Sequence, residues 1–525
     1  MAGSKFTEQE IKFRLPEGGD PARIRATIEA AGFRLDPEVG VTHEDRYLDT
    51  EDWVLFRAGI ALRLRADGRR VRLEAKTLRS TSEDAMVRTE WAQDAPAGDP
   101  PWDAVAFEPG PVTALLRPLR GLGVPERLRV RAVIRNEREC FRWSREDAPL
   151  GQVTVDHVAL PEIPGAPATA PAARHFDEVE IELANGHGEA LAEVRRAVED
   201  ELGLLANADS KLKSALAVAG LTAPMRSEGA YRVTPGDRLV DVAWKMLSRQ
   251  FGRIEWHEPG SRLGIDAESV HDMRVASRRA RMALEVFPEA VPEESRERLA
   301  GELRFVGRAL GRVRDLDVGL ERIEAMKAEA SDEEQAALCV FEQGVRIRRE
   351  RRRVTLIEAL DSERYAGLLE LMREWIEQGA PAPSTVPAGG IPAFYAAPRI
   401  VGEAEAAMEA AYREAERTLE PGAVHALRLA AKRARYACEF FAPVLGTQAA
   451  ARAKRISKLQ DVLGFHQDAV MLLARLRKYA RTIPRRDDAL TLGAGSALGA
   501  LERMTRVKRG ELRRAWGELA APSER

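Results

Sequence analysis

The chain has 525 residues, 45% of them hydrophobic and 31% charged, with 81 Lys+Arg against 83 Asp+Glu and a formal net charge of -2. That length excludes one ordinary domain of roughly 100 to 200 residues, and a charge so dense and so balanced excludes no class of partner, because basic and acidic surfaces can be held apart. Cys140, Cys339 and Cys438 are widely separated and lack metal-ligand spacing, and neither an apolar N-terminal segment nor a run of about 18 apolar residues occurs; a cytoplasmic protein without membrane spans is expected.

The first predicted element is a strand around Glu8-Gln9-Glu10-Ile11-Lys12. Successive side chains of a strand point to opposite faces, so Glu8, Glu10, Lys12 and Arg14 share one face while Ile11, Phe13 and Leu15 share the other. Taken alone, such a face is ordinarily solvated. A helix is predicted over Asp20 to Ala31, with Ile24 and Ile28 on one side and Gly32 as its stop. Strands follow over Thr42 to Leu48, Ile60 to Arg65 and Arg70 to Lys76, the last two joined by a turn at Asp67-Gly68. Further strands are predicted over Met86 to Ala92, Arg129 to Arg135, Glu139 to Trp143, Gln152 to Val158 and Asp177 to Leu183.

The ionic alternation recurs. Arg63 and Arg65 oppose Leu62 and Leu64; Arg72, Glu74 and Lys76 oppose Leu73 and Ala75; Glu178, Glu180 and Glu182 oppose Val179, Ile181 and Leu183. Rows of one sign on an open face repel without compensation. A closed antiparallel barrel resolves this, with the charges turned inward and the apolar positions covered by helices. Glu8, Glu10, Glu180 and Glu182, from the first and last strands, supply the hard oxygen ligands that Mg²⁺ or Mn²⁺ requires. Arginines and lysines of the middle strands supply charge-assisted donors to phosphate oxygens. Together they describe a metal–polyphosphate site.

These residues resemble the CYTH, or triphosphate tunnel metalloenzyme, family, whose mark is an ExExK motif on the first strand of an eight-stranded tunnel; here it reads Glu8, Glu10, Lys12. Matches continue in order through Tyr47-Leu48-Asp49-Thr50, Leu62-Arg63-Leu64-Arg65, Lys76, Arg88 with Glu90, Arg135 and Arg138, Asp156, Glu180-Ile181-Glu182-Leu183 and Ser210-Lys211, over about residues 5–220. The resemblance implies that Lys12, Arg63, Arg65, Lys76, Arg88, Arg135, Arg138 and Lys211 contact a phosphate chain. The motif around Arg131 to Arg138 can be registered in more than one way, which bears on Arg135. It further implies that Glu8, Glu10, Glu180 and Glu182 hold the metal and, with Lys12, form the catalytic set.

Residues 221–236 have a linker composition, with Thr222-Ala223-Pro224 and Thr234-Pro235-Gly236. From there to about 520 the chain reads as helical, with segments beginning near Arg238, Ser269, Glu293, Glu333, Ile400, Ala423, Ala449 and Asp468, and a Pro/Gly/Ala-rich break over Gly379 to Pro398. The break separates two copies of one unit, about 237–378 and 399–520. His271-Asp272-Met273-Arg274 followed by Arg278, Arg279 and Arg281 recurs as His425-Ala426-Leu427-Arg428 followed by Lys432, Arg433 and Arg435; Leu310-Gly311 with Asp315 recurs as Leu463-Gly464 with Asp468.

At 100° per residue, His271, Arg274, Arg278 and Arg281 fall within about 80° of one another, and His425, Arg428, Lys432 and Arg435 do the same. Two cationic stripes in two repeats suggest a polyanion held between them. These residues resemble the CHAD family, an all-helical module of two related four-helix bundles associated with inorganic polyphosphate, and the resemblance implies that the eight residues line its surface. Asp315 and Asp468 are expected to organise the arginines, and the arginine-rich run Arg346 to Arg353 to be a solvated helix face.

The expected fold is therefore α+β and multidomain, an antiparallel eight-stranded β-barrel tunnel with covering helices followed by an all-α domain of two related four-helix bundles. The pair resembles bacterial CYTH–CHAD inorganic triphosphatases, which implies divalent-metal-dependent hydrolysis of inorganic tripolyphosphate or a similar short chain, with polyphosphate binding by the helices. Thiamine or nucleoside triphosphate hydrolysis, adenylate cyclisation, and a non-catalytic polyphosphate receptor at polyphosphate granules are the alternatives. Scattered tryptophans without a stacking ladder disfavour nucleic acid.

Overall fold

The structure is a computed structural model that describes residues 4–67, 70–78, 86–95, 108–163, 174–184, 188–207, 209–221, 231–480 and 509–520, with isolated positions at 495, 498, 499 and 502. The side chains of Glu8, His466 and Asp468 lie outside the described residues. The chain divides into two compact units, Met1–Met225 and Arg226–Arg525.

The first unit is a closed eight-stranded barrel. It is built from β1 (Ser4–Arg14), β2 (Arg34–Asp49), β3 (Ile60–Asp67), β4 (Arg70–Thr77), β5 (Met86–Asp94), β6 (Arg129–Arg145), β7 (Ala148–Glu162) and β8 (His175–Leu183), in the spatial order β1-β5-β4-β3-β2-β6-β7-β8, with antiparallel pairing throughout. The two strands expected over Arg129 to Arg135 and Glu139 to Trp143 are one continuous β6, because Asn136, Glu137 and Arg138 keep their pairing to both β2 and β7. Closure brings the first and last strands together: Lys12 stands opposite Glu180, and Glu10 opposite Glu182.

Helices cover the apolar exterior. Helix α1 (Pro21–Ala30) starts at Asp20, whose carboxylate accepts from the Ala22 amide at 2.9 Å, with Pro21 preset for the first turn. Its Ile24 and Ile28, with Leu191, Val194 and Val198 of a later helix (Gly188–Leu202), bury Ile11, Phe13, Val179 and Ile181 on the outer side of β1 and β8. Short helices α2 (Val54–Arg57) and α3 (Pro111–Leu116) precede that helix, which is α4. Helix α5 (Lys211–Val218) differs: capped by Ser210, it packs Leu212, Ala215 and Leu216 against Ala132, Ile134, Leu160 and Phe176, which share strand parity with the inward Arg138, Asp156 and Glu178, and so it puts Lys211 at the barrel interior.

The second unit is helical: α6 (Leu239–Leu263), α7 (Ala267–Val286), α8 (Glu293–Ala328), α9 (Asp332–Leu360), α10 (Glu363–Gln378), α11 (Ala393–Thr418), α12 (Pro421–Leu445), α13 (Thr447–Ala480) and α14 (Arg509–Ala520). The segments expected to begin near Ala449 and Asp468 form the single helix α13. In sequence order α6–α7–α8 and α11–α12–α13 pack as matching antiparallel neighbours, and Phe287 of the first repeat meets Phe440 and Phe441 of the second within one continuous core. Among the described residues no helix is long and apolar enough to cross a membrane.

Candidate functional site

Strand parity turns the charges of the barrel inward. A cavity of about 150 Å³ is lined by seven cationic side chains, Lys12, Arg63, Arg65, Lys76, Arg88, Arg138 and Lys211, together with Glu90, Glu180 and Glu182. Each cation is held by a buried carboxylate. Arg65 donates from Nε and Nη2 to Asp45 at 2.8 Å each, and Arg63 donates to Glu74 at 3.0 Å and to Asp45 at 3.3 Å. Arg138 is bidentate to Asp156 at 2.6 and 2.8 Å and reaches Glu180 at 2.7 Å. Lys12 donates to Glu180, while Lys76 and Arg88 lie 3.6 and 3.4 Å from Glu10 Oε1.

Burial by itself would push these carboxyls up; Lys12 and Lys76 nonetheless hold Glu10 below its ordinary value, and Lys12, Lys211 and Arg138 hold Glu180 well below. Both stay ionised at neutral pH. Carboxylate oxygens of Glu10, Glu180 and Glu182 lie within 4.8 Å of one another, and the fully buried Glu10 Oε2 has no hydrogen-bond partner among the described residues. An orphaned, ionised oxygen beside two more hard oxygen donors fits a divalent cation of the Mg²⁺ or Mn²⁺ type. A second trio, Asp156, Glu178 and Glu180, is equally close, but the Lys211 ammonium stands among them at 2.6, 2.7 and 2.5 Å.

In the helical unit the two expected stripes meet. Lys432 of α12 lies among Arg274 and Arg278 of α7 and Arg428 and Arg435 of its own helix; burial and then these four charges bring its pKa down to about 7. Arg278 Nε donates to the Tyr436 hydroxyl at 3.1 Å, and the Arg435 guanidinium lies 4.7 Å from the centre of the Tyr436 ring. Arg274 reaches Asp315 of α8 at 3.5 Å.

The CYTH domain model matches residues 7–214 and the CHAD domain model residues 245–477. The chain is a CYTH domain followed by a CHAD domain. A search of curated proteins found no match. Among solved structures, the chain is similar to the CHAD domain of the plant Ricinus communis (24% identity over 57% of this chain and 97% of that one, TM-score 0.47). It is also similar to PptA from Streptomyces chartreusis (19% identity, 54% and 100%, TM-score 0.42). A third is HpAC1 from Hippeastrum, a proposed adenylyl cyclase described as having a dominant triphosphatase activity (20% identity, 41% and 98%, TM-score 0.26). The assignment rests on the two domain models, which make the barrel a triphosphate tunnel of the metal-dependent CYTH type.

The CYTH tunnel brings together Glu10, Lys12, Arg63, Arg65, Lys76, Arg88, Arg138, Glu180, Glu182 and Lys211. Glu8 pairs with Arg88 across β1 and β5, which sets its backbone next to the site. Arg135 is a correction: its side chain is 57% exposed on the outer side of β6 and reaches Glu44 at 3.5 Å. It lies three residues from Arg138, an odd step that a regular strand resolves onto opposite faces. Asp45 and Glu74, which hold Arg63 and Arg65, were not anticipated as partners, since the contacts join different strands.

In the CHAD domain Arg274, Arg278, Arg428, Lys432 and Arg435 converge, and His271 is half-buried on α7. Arg281 instead lies 3.9 Å from Glu285 in its own helix, and His425 is exposed. The arginine run on α9 is not merely solvated, because Arg349 donates to the buried Asp317 of α8 at 2.5 Å and Arg353 to the Arg262 carbonyl at 2.9 Å. Tyr436 and Glu439 were missed; Tyr436 reads as one more apolar position of an amphipathic helix, and only its hydroxyl, aimed at Arg278, marks it.

Proposed function

We propose that the CYTH tunnel hydrolyses inorganic tripolyphosphate or a similar short phosphate chain with Mg²⁺ or Mn²⁺, and that the CHAD domain binds longer inorganic polyphosphate. The observation that carries this reading is the lining of one cavity by seven cations and a carboxylate trio, with Tyr47 as its single aromatic among the described residues. Tyr47 is fully buried and engaged with Arg63, which offers no open ring face to a base or a thiazolium.

Arg63, Arg65, Lys76 and Arg88 neutralise the phosphate oxygens with donors already fixed in direction, which lowers the cost of building charge on the departing phosphate. Glu10, Glu180 and Glu182 would hold the divalent ion, whose chemistry is to stabilise charge on phosphate oxygens. A carboxylate on this wall, Glu10 or Glu182, orients water and takes its proton as the new P–O bond forms and the bridging P–O bond breaks. One phosphate and a shortened chain leave. Lys12 and Arg138 keep Glu180 ionised and in place throughout.

Phosphate release from tripolyphosphate, ATP and thiamine triphosphate, each with Mg²⁺ or Mn²⁺, tests this against a Glu10→Gln, Glu182→Gln variant. Tripolyphosphate is expected to turn over fastest and the variant to lose activity. No turnover by the wild type leaves the receptor reading, a cyclic product from ATP leaves the cyclase reading, and full activity in the variant removes the metal assignment.

A further inference from the structure

The cationic surface of the helical unit does not end at Lys432. Helix α6 carries Arg249, Arg253 and His257 at successive four-residue steps, hence on one face. That face looks onto α7: His257 Nε2 lies 3.6 Å and Arg253 3.8 Å from Asp272, and Arg279 is close enough to depress both Arg249 and Arg253 after burial has done so. Asp272 and Arg279 are two turns apart on α7 and share the side that meets α6.

Arg279 joins this face to the α7–α12 cluster. Its guanidinium lies 5.2 Å from the Tyr436 ring centre and 5.5 Å from that of Phe440, and it pairs with Glu439 at 2.5 Å. Tyr436 is the residue whose hydroxyl Arg278 holds. Cations therefore run from Lys432 and Arg278 past Tyr436 to Arg279, Arg253 and Arg249, with the carboxylates of Glu439 and Asp272 beside them. Arg253 Nε is buried with no hydrogen-bond partner among the described residues, so the protein leaves part of that guanidinium unsatisfied. Facing like charges across a helix seam cost stability and are expected where an anion comes between them.

The second repeat lacks this feature. Counting back from His425 as from His271, α11 has Glu403, Ala407 and Ala411 at the places of Arg249, Arg253 and His257. We propose that α6 extends the polyanion track on the side of the first repeat alone, with Arg279 as the junction, so that the CHAD domain selects long phosphate chains over short ones. This rests on the reading that the α7–α12 cluster binds polyphosphate.

The test is carried out on the full chain with Arg63→Ala and Arg65→Ala in the tunnel, so that binding reports the helical unit. Affinity and its salt dependence are measured for polyphosphates of about ten and about a hundred phosphates; removing two phosphate contacts should lower the log–log salt slope by about 1 to 2. The Arg249→Gln, Arg253→Gln pair is expected to lower affinity and slope for the long chain only, and Arg249→Lys, Arg253→Lys to retain most of both. An Arg274→Gln, Arg278→Gln, Arg428→Gln variant is expected to weaken both lengths. Long-chain binding untouched by the Gln pair overturns the extension and leaves the cluster reading intact. Equal loss at both lengths overturns the length selection. Failure of the chain with an intact helical unit to bind either length overturns both readings.

Discussion

Lys211 Nζ stands 2.5 Å from Glu180 Oε1, and Asp156 and Glu178 close a carboxylate cage around the same ammonium at 2.6 and 2.7 Å. All four side chains are buried, and Lys211 is raised above its ordinary pKa because the carboxylates outweigh the burial that opposes its charge. Removing one member of such a buried network leaves its partners uncompensated, at a cost of about 3–5 kcal/mol. Lys211→Met should therefore lower the melting temperature of the barrel markedly. Because three hard oxygens remain, millimolar Mg²⁺ should restore more of the loss in the variant than it adds to the wild type. Thermal melts with and without Mg²⁺ check this, and an unshifted melting temperature would remove the cage from the account of stability.

Asp45 makes a different kind of contribution, since it holds two residues that face the cavity rather than facing it as a ligand. Its carboxylate is fully buried, held well below its usual range by Arg63 and Arg65 against the pull of burial, and bidentate to Arg65. Asp45→Asn should loosen Arg65 from its fixed direction and leave Arg63 held by Glu74 alone. At about 1.5 kcal/mol for a charge-assisted hydrogen bond, kcat/KM for tripolyphosphate should fall roughly tenfold, with kcat sharing the loss because these arginines serve the departing phosphate. Steady-state kinetics decide; an unchanged kcat/KM would show that Asp45 does not position the arginines for the reaction.

How much of this was legible in the chain depends on range. Alternation at every second residue is local, so Glu10, Lys12, Arg63, Arg65, Glu180 and Glu182 announced a shared face, and only their recurrence on separate strands indicated that the face was closed upon itself. Pairings between strands are not local. Asp45 meets Arg65 only because β2 and β3 pair in one register, and nothing in a list of residues selects that register. The α6 stripe steps by four residues where the α7 stripe steps by three, four and three, and it lacks the repeated motif that drew attention to α7 and α12. Arg135 was placed with the phosphate contacts because the motif around Arg131 to Arg138 can be registered in more than one way, and only the continuous strand β6 sets Arg135 and Arg138 on opposite faces.

Arg135→Ala supplies the corresponding control. Its partner Glu44 and its own side chain are both solvent-accessible, and such pairs contribute about 0–1 kcal/mol. The kinetics on tripolyphosphate and the melting temperature should both match the wild type, whereas Arg138→Ala should impair both, because Asp156 and Glu180 lose one of the two donors they share and Lys211 alone remains. A loss of activity in Arg135→Ala comparable to that in Arg138→Ala would return Arg135 to the phosphate-binding set.

Lys432 makes the CHAD cluster sensitive to pH near neutrality. Burial and the charges of Arg278, Arg428, Arg274 and Arg435 bring it down to about 7, against roughly 10.4 for an unperturbed lysine. A lowered lysine binds fewer protons folded than unfolded between these values, so the stability of the helical unit should rise as pH climbs from about 7 towards 10. A bound polyanion reverses the electrostatics, since each nearby phosphate favours the ammonium form. At pH 7.5 to 8, where free Lys432 is largely neutral, binding polyphosphate should draw in close to one proton. Calorimetry in buffers of differing ionisation enthalpy measures this directly as a buffer-dependent binding enthalpy. Lys432→Met should abolish the dependence while keeping much of the affinity, because the four arginines remain. Proton uptake that persists in Lys432→Met would assign the titration to another group.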